Sequence, residues 1–490
     1  MLYTSRVRDL LPDGDVDRNQ AAANELAWAV ARVKAAEATA EWAAAAGDGL
    51  AERIAEAAIA EAGASISGQS IEARLELAGL FESIAESYSP LHDLGASDEH
   101  RMLRETIREF ARREILPCAA AVHRQDLDVP EEIIAGLAEL GLFGVSVPEV
   151  YGGQQGPEED FERMLIVTEE LSRASLAVGG SLITRPEILV RALLRGGTEE
   201  QKRRWLPDIA TGRRMVAVAT TEPDHGSDVA NITCRAERIA GGWQVTGTKL
   251  WCTFAGRAEL LMLLLRTADA GHKGLSLFVA EKPAFGGHEF AYVQPEGGRM
   301  EGRAIPTIGY RGMHTFELNF QKLWLPDVAL VGGDDWLHRG FYLQMESFTV
   351  GRLQTAGRAV GVMQAAHDDA VRYAHDRVVF GRPIATFGLP KAMLGQMAVH
   401  LTASRQLTYQ AARRLSTGDG QMEASLAKLY ASRMAEHVTR DAMQLHGGMG
   451  YAEETAASRY FVDARVLSIF EGAEEVLALR VIARNLLAGG

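Results

Sequence analysis

Along the first part of the chain, apolar residues recur three and four positions apart. Leu26, Val30, Val33 and Ala36 fall on one face of an Ala- and Glu-rich stretch spanning residues 21–89, the spacing of a helix with one buried stripe. Glycines at 47, 49, 63 and 68 break the pattern and divide the stretch into three short helices. Ser97 then offers a hydroxyl N-cap ahead of Asp98 and Glu99, with Leu103, Ile107 and Phe110 on one face. Helical spacing continues over residues 131–140, 161–172 and 199–205. At Met215 the period shifts towards two, and residues 243–246, 261–267, 275–280 and 316–320 read as strands between Gly, Pro and Asp turns. Beyond Gly340, amphipathic runs over 356–377, 391–415, 422–445 and 474–487 read as four long helices with short connections, a bundle.

The expected fold is therefore mainly α with a β-domain. Its parts are an N-terminal helical extension (residues 1–96), an α-helical domain (97–214), a middle β-domain (215–330) and a C-terminal four-helix bundle (331–490). A length of 490 residues with 47% apolar and 24% charged side chains suits such a globular protein. The net charge of -14 argues against a nucleic-acid partner, which needs clustered Lys and Arg. Residues 1–95 hold 16 Asp and Glu against 7 Lys and Arg, so much of the surplus is N-terminal. Cys118, Cys234 and Cys252 lie far apart, with no Cys-x-x-Cys pair and no neighbouring His at metal spacing, so neither a disulfide framework nor a zinc site is expected, and no metal. The N-terminus has no apolar signal-peptide stretch and no run reaches membrane-spanning length, so no membrane partner and a cytoplasmic location are expected.

Several short motifs carry candidate chemistry. TEPDHGSD (221–228) is a turn-rich stretch whose hydroxyls and N–H groups can bond a polar ring, with Gly226 allowing close approach. In KLWCT (249–253), Trp251 and Thr253 share one face of a strand if the period-two alternation holds. In RVVFG (377–381), Arg377 and Phe380 stand at a helix end where a guanidinium can grip a pyrophosphate through two hydrogen bonds. Glu471 occupies a short turn, Phe470-Glu471-Gly472-Ala473, before the last helix. Taken singly, these are an ordinary loop, a core aromatic, a solvated Arg and a surface carboxylate.

Taken with LGLFGVSVPEVYGG (140–153), GYRG (309–312), QLHGGMG (444–450) and IFEG (469–472), in this order and spacing, they resemble the acyl-CoA dehydrogenase family from Ser97 to the C-terminus. The resemblance implies that family's fold, with a helical domain, a β-barrel-like middle domain and a C-terminal four-helix bundle, here carrying an extra N-terminal helical extension. It also implies FAD as cofactor, an acyl-CoA substrate, α,β-dehydrogenation, an electron-transferring flavoprotein as acceptor, and a homodimer or homotetramer. By the same resemblance, Thr221 bonds the flavin ring, and Ser227 lies where the flavin phosphate or the thioester end of the substrate passes. Trp251 stands against the isoalloxazine, and Thr253 bonds near its N5. Arg377 and Phe380 reach the FAD of a neighbouring subunit, whose adenosine end is admitted by Gln444, Gly447 and Gly448.

The family's base is Glu471, and Arg311 is expected to order its loop beside the substrate. Such a base needs a dry setting, which Ile469 and Phe470 are expected to supply. The alternative position used by some members, just before Arg352, is Gly351 here. One departure is Gly388 after Phe387, where the family often has Gln.

The N-terminal extension, Thr184-Arg185 ahead of Glu187, the insert 283–308 and the ending FEGA-EEV-VIAR resemble more closely a member whose acyl chain carries a second carboxylate. Burying that anion needs a cation or several donors, and Arg185 is the candidate, with a structural salt bridge to Glu187 or Glu170 as the alternative. Two further readings stay open: a dehydrogenase or flavin oxidase for another short branched thioester, and a non-catalytic flavin-binding protein.

Overall fold

A computed structural model of the chain describes residues 16–67, 71–87, 96–295 and 297–488; the charged stretch before residue 16 and the break at Gly68 lie outside them. The chain forms two compact units. One combines Met1–Ala120, Phe161–Leu176 and Arg352–Gly490, and the other Ala121–Asp160 and Ala177–Gly351.

The first unit is helical. The extension forms α1 (Gln20–Ala46), α2 (Gly49–Ser67) and α3 (Ile71–Ser87). After it come α4 (Asp98–Phe110), capped by the Ser97 side chain accepting from His100 N, and the first half of α5 (Leu116–Gln125), joined to α4 through a wider turn at Ala111–Ile115. Its remaining helices are α7 (Phe161–Ala174), most of α10 (Gly340–Asp376), α11 (Gly388–Ser416), α12 (Gln421–Leu445), α13 (Ala456–Leu467) and a last helix that starts at Glu474. Helix α13 was not anticipated from the spacing, because residues 456–467 are short and interleave small and charged residues.

The extension packs on the bundle of its own chain. Leu50, Ile54, Phe81 and Ile84 share a core with Ala398 and Val399 of α11. The contact is close enough that a Cβ at Gly395 would lie 1.8 Å from the Phe81 carbonyl oxygen, so only glycine fits there. Glu61 adds polar bonds, 2.9 Å from Gln396 Nε2 and 2.9 Å from His400 Nε2.

The second unit holds α6 (Glu131–Glu139), α8 (Ser181–Gly196), α9 (Glu199–Ala210) and the sheet. The sheet comprises β1 (Val216–Ala219), β2 (Arg235–Ile239), β3 (Gly242–Thr253), β4 (Leu260–Arg266), β5 (Leu275–Glu281), β6 (Glu289–Val293), β7 (Arg299–Ala304) and β8 (Thr315–Pro326). Its order is β1-β4-β2-β3-β8-β7-β6, with β5 paired to β4. The insert 283–308 therefore supplies the β6–β7 hairpin that extends one edge. Strands β4 and β5 are buried along nearly their whole length, a continuous apolar run instead of alternation, because they are covered on both faces.

Candidate active site

In the first unit, Glu471 stands at φ 55 and Gly472 at φ 103, in the turn between α13 and the last helix. A non-glycine residue in the left-handed region costs on the order of 1–3 kcal/mol and persists where its surroundings fix it. The surroundings here are polar. Glu471 Oε2 accepts from Arg358 Nη2 at 2.6 Å and from the Thr355 hydroxyl, and Arg358 also bonds Thr355 at 2.8 Å. Thr355 and Arg358 lie three apart on α10, so one helix face presents both to the carboxylate. Lys428 Nζ donates to the Gly472 carbonyl at 2.6 Å, closing the turn from α12.

The Glu471 side chain is 7% exposed and that of Arg358 is fully buried. The expectation that Ile469 keeps this site dry fails, since Ile469 is 54% exposed. Burial comes instead from α10, with the Phe470 ring 4.6 Å from the Arg358 guanidinium. The sequence pattern did not single out Thr355 or Arg358; their only signal was three-residue spacing on a helix that ends up facing the base.

Burial also pushes the Lys428 ammonium down to about 8 from its ordinary 10.5. Between those values the unfolded chain carries a proton that the folded chain lacks, so this lysine favours folding increasingly as pH rises from about 8 to 10.5. Urea midpoints measured across that window are expected to rise less steeply in Lys428→Met than in the unmodified protein; an unchanged slope would show that the lysine does not titrate there.

The end of α10 and the end of α12 meet through stacked Tyr373 and His446 rings, 4.3 Å apart. This brings the Arg377–Phe380 turn and the Gln444–Gly448 turn to one edge of the first unit. Phe380 has φ 50 and is 95% exposed. Gly447 adopts φ 58 and ψ -137, and neither Gly447 nor Gly448 would place a Cβ within 4 Å of another atom. Arg377 and Gln444 are exposed at the same edge.

In the second unit, a buried Glu222 organises the 221–228 loop. It accepts from Thr233 N at 2.6 Å, Cys234 N at 2.9 Å and Lys249 Nζ at 2.9 Å. Although burial disfavours its charge, Lys249 and these N–H groups hold the carboxyl below its ordinary value. Lys249 also donates to Thr220 O at 2.9 Å, and Leu250 N to Thr221 O at 2.8 Å, so β3 and the loop are tied side by side. Ser227 is exposed beyond these anchors, and Thr221 is half-buried.

Trp251 and Thr253 do not share a face as simple alternation predicts. The β3–β8 register slips between Lys249 and Cys252, and Trp251 takes φ 60 there. The bulge turns Trp251 outward, 53% exposed, while Thr253 is buried with its Oγ1 3.0 Å from that of Thr315.

Arg185 is buried on α8, donates to the Tyr310 hydroxyl at 2.9 Å and lies 5.8 Å from its ring. Glu187 is bonded by Arg191 at 2.9 Å, and Glu170, in the first unit, by Arg104 at 2.8 Å and Arg108 at 2.9 Å. Arg311 donates to Thr307 O at 3.0 Å and His123 O at 3.1 Å, fixing the turn that carries Tyr310.

Each unit by itself has groups that suit part of a flat, polar-edged aromatic cofactor with a diphosphate tail: in the second unit an exposed Trp251 and a buried Thr220 hydroxyl with no hydrogen-bond partner among the described residues, and in the first an exposed Phe380 and two glycines with open space around them. Residues 97–213, 217–323 and 338–487 match the N-terminal, middle and C-terminal domains of acyl-CoA dehydrogenase, and the chain belongs to that family. Its members are FAD-dependent flavoproteins that oxidise acyl-CoA, and FAD is this chain's cofactor.

Among relatives, the chain is 40% identical to (2S)-methylsuccinyl-CoA dehydrogenase of Cereibacter sphaeroides, over 80% of this chain and 70% of that one. Butyryl-CoA dehydrogenase from Megasphaera elsdenii superposes with a TM-score of 0.72 at 27% identity, covering 79% of this chain and 97% of that one. A glutaryl-CoA dehydrogenase in complex with glutaryl-CoA gives 0.72 at 29% identity, covering 79% and 94%. No helix among the described residues is long and apolar enough to cross a membrane.

Proposed function

We propose that the chain oxidises (2S)-methylsuccinyl-CoA to mesaconyl-CoA, with Glu471 as the base. The observation that carries the catalytic part is the Glu471 carboxylate, nearly buried yet held in one orientation by Thr355 and Arg358. A carboxylate fixed in this way is the type of group that serves as a general base. Glu471 takes the α-proton of the thioester, and its backbone N–H bonds the thioester carbonyl, where negative charge develops. Bound FAD supplies the acceptor for the β-hydride. Thr221, Ser227, Trp251 and Thr253 hold the flavin and the thioester end, while Arg377, Phe380, Gln444, Gly447 and Gly448 hold the diphosphate and adenosine end across a subunit boundary. Arg311 positions the Tyr310 turn beside the acyl chain.

The substrate reading is supported by the 40% identity to the Cereibacter sphaeroides enzyme, by the N-terminal extension and insert, and by buried Arg185, whose guanidinium suits a second carboxylate. An electron-transferring flavoprotein as acceptor, a homo-oligomer and a cytoplasmic location complete the proposal. Anaerobic flavin bleaching across a panel of thioesters tests it: methylsuccinyl-CoA is expected to reduce the flavin with the highest kcat/KM. A better neutral branched thioester would replace the substrate assignment, and oxygen accepting electrons as fast as the carrier protein would make the enzyme an oxidase.

The shared cofactor site gives a further expectation. Arg377→Ala removes a bidentate phosphate partner, so FAD content after gel filtration should fall and the oligomer should loosen together. A stable monomer of the unmodified protein retaining stoichiometric FAD would contradict the shared site.

A further inference from the structure

The second unit carries a cluster of ligand-type side chains that flavin and thioester chemistry leave unused. Asp126 comes from the loop after α5, His288 from the insert just before β6, and His314 from the turn before β8. One ligand atom of each lies within 4.8 Å of the others. His288 Nε2 is 3.0 Å from Asp126 Oδ2, His314 Nε2 is 3.4 Å from Asp126 Oδ1, and the two imidazoles are 4.2 Å apart between centroids. Nitrogen and oxygen ligands about 2.0–2.1 Å from a tetrahedral zinc ion stand about 3.3 Å from one another, so these separations need little adjustment.

A fourth residue supplies the outer support of such a site. Asp128 Oδ1 lies 2.9 Å from Nδ1 of His314, and its other oxygen accepts from Gly287 N at 2.7 Å. A carboxylate on Nδ1 selects the tautomer whose Nε2 carries a lone pair. That Nε2 faces acceptors, the Asp126 carboxylate and, at 3.2 Å, the Asp126 carbonyl oxygen. Either a proton or a metal cation must sit between such groups. Asp126 and Asp128 contribute two negative charges and the Arg311 guanidinium, 4.0 Å from Asp126 Oδ1, offsets one, so the cluster attracts positive charge. The site can exchange with solvent, since the His288 side chain is 52% exposed.

We propose that Asp126, His288 and His314 bind one divalent ion of the zinc type, with Asp128 orienting His314. The ion ties the β6–β7 insert to the loop after α5 and to the turn that leads from Tyr310 and Arg311 into Thr315, the partner of Thr253. Its role is structural, bracing that turn.

The FAD-loaded protein, stripped with a chelator and dialysed, is titrated with zinc chloride by calorimetry, and its thermal midpoint is followed in parallel. One tight site per chain and a zinc-dependent rise in the midpoint are expected. His288→Ala, at a solvent-facing position where folding is not at risk, should weaken that site by more than about 100-fold and abolish the rise. Asp128→Asn, which disturbs only the outer support, should weaken it by about 10- to 100-fold. No stoichiometric zinc binding, or equal binding by His288→Ala and the unmodified protein, would overturn the proposal. Destabilisation by Asp128→Asn without any zinc titre would overturn it equally, and would mark a protonated His314 network instead.

Discussion

Glu471→Gln is expected to retain FAD yet to lower the rate at which substrate reduces the flavin by about two to four decades, the usual contribution of a positioned general base. The amide is nearly isosteric, and its oxygen can still accept from Arg358 and Thr355, so the turn should form. What it cannot do is carry the α-proton away. The change also has a stability cost. Arg358 is fully buried, and a guanidinium deprived of its anion typically loses about 3 to 5 kcal/mol, less whatever the amide oxygen recovers. The variant should therefore unfold at lower temperature while keeping its flavin spectrum in the cold. Measuring flavin content, melting and single-turnover reduction on the same preparation separates the two effects. Reduction at near the original rate would remove Glu471 from the role of base.

The second large effect concerns specificity. Arg185→Met keeps much of the side-chain length but removes the charge and every N–H donor, including the one on Tyr310. If Arg185 holds the distal carboxylate of methylsuccinyl-CoA, that anion is left poorly paired, at about 3 to 5 kcal/mol or roughly two to four decades in kcat/KM. A neutral branched thioester of similar size should suffer little. The ratio of the two changes decides, because a merely structural Arg185 would lower both alike through the Tyr310 turn. Equal losses would send the carboxylate to another partner or end the substrate assignment.

How far such a site is legible in a sequence depends on whether each residue acts through local pattern or through tertiary placement. Helical spacing located the extension and the long helices because amphipathic periodicity records which face is buried. The motifs locate the turns of Glu471 and Phe380, both at positive φ, because each is followed by a glycine that itself takes positive φ. Alternation failed at Trp251, since a bulge is set by the register of β8, more than sixty residues further on. The base is buried as expected, but Ile469 takes no part in it. The neighbours in sequence, Ile469 and Phe470, drew the expectation, whereas Thr355 and Arg358 provide the contact from another helix. Glu222 and Lys249 were likewise invisible as a pair, though each sits inside a quoted motif, because only folding brings them to 2.9 Å. The Asp126, His288 and His314 cluster draws on three segments with no common motif, so no spacing rule could find it.

The central claim is that Glu471 removes the α-proton of a methylsuccinyl thioester as the flavin is reduced. Its most direct test is anaerobic single-turnover reduction of the bound FAD by methylsuccinyl-CoA, run with α-protiated and α-deuterated substrate. Complete bleaching, slowed several-fold by α-deuterium and nearly absent in Glu471→Gln, is the predicted result. Flavin that stays oxidised with methylsuccinyl-CoA but bleaches with another thioester would contradict the substrate. Bleaching of equal rate in Glu471→Gln would contradict the base.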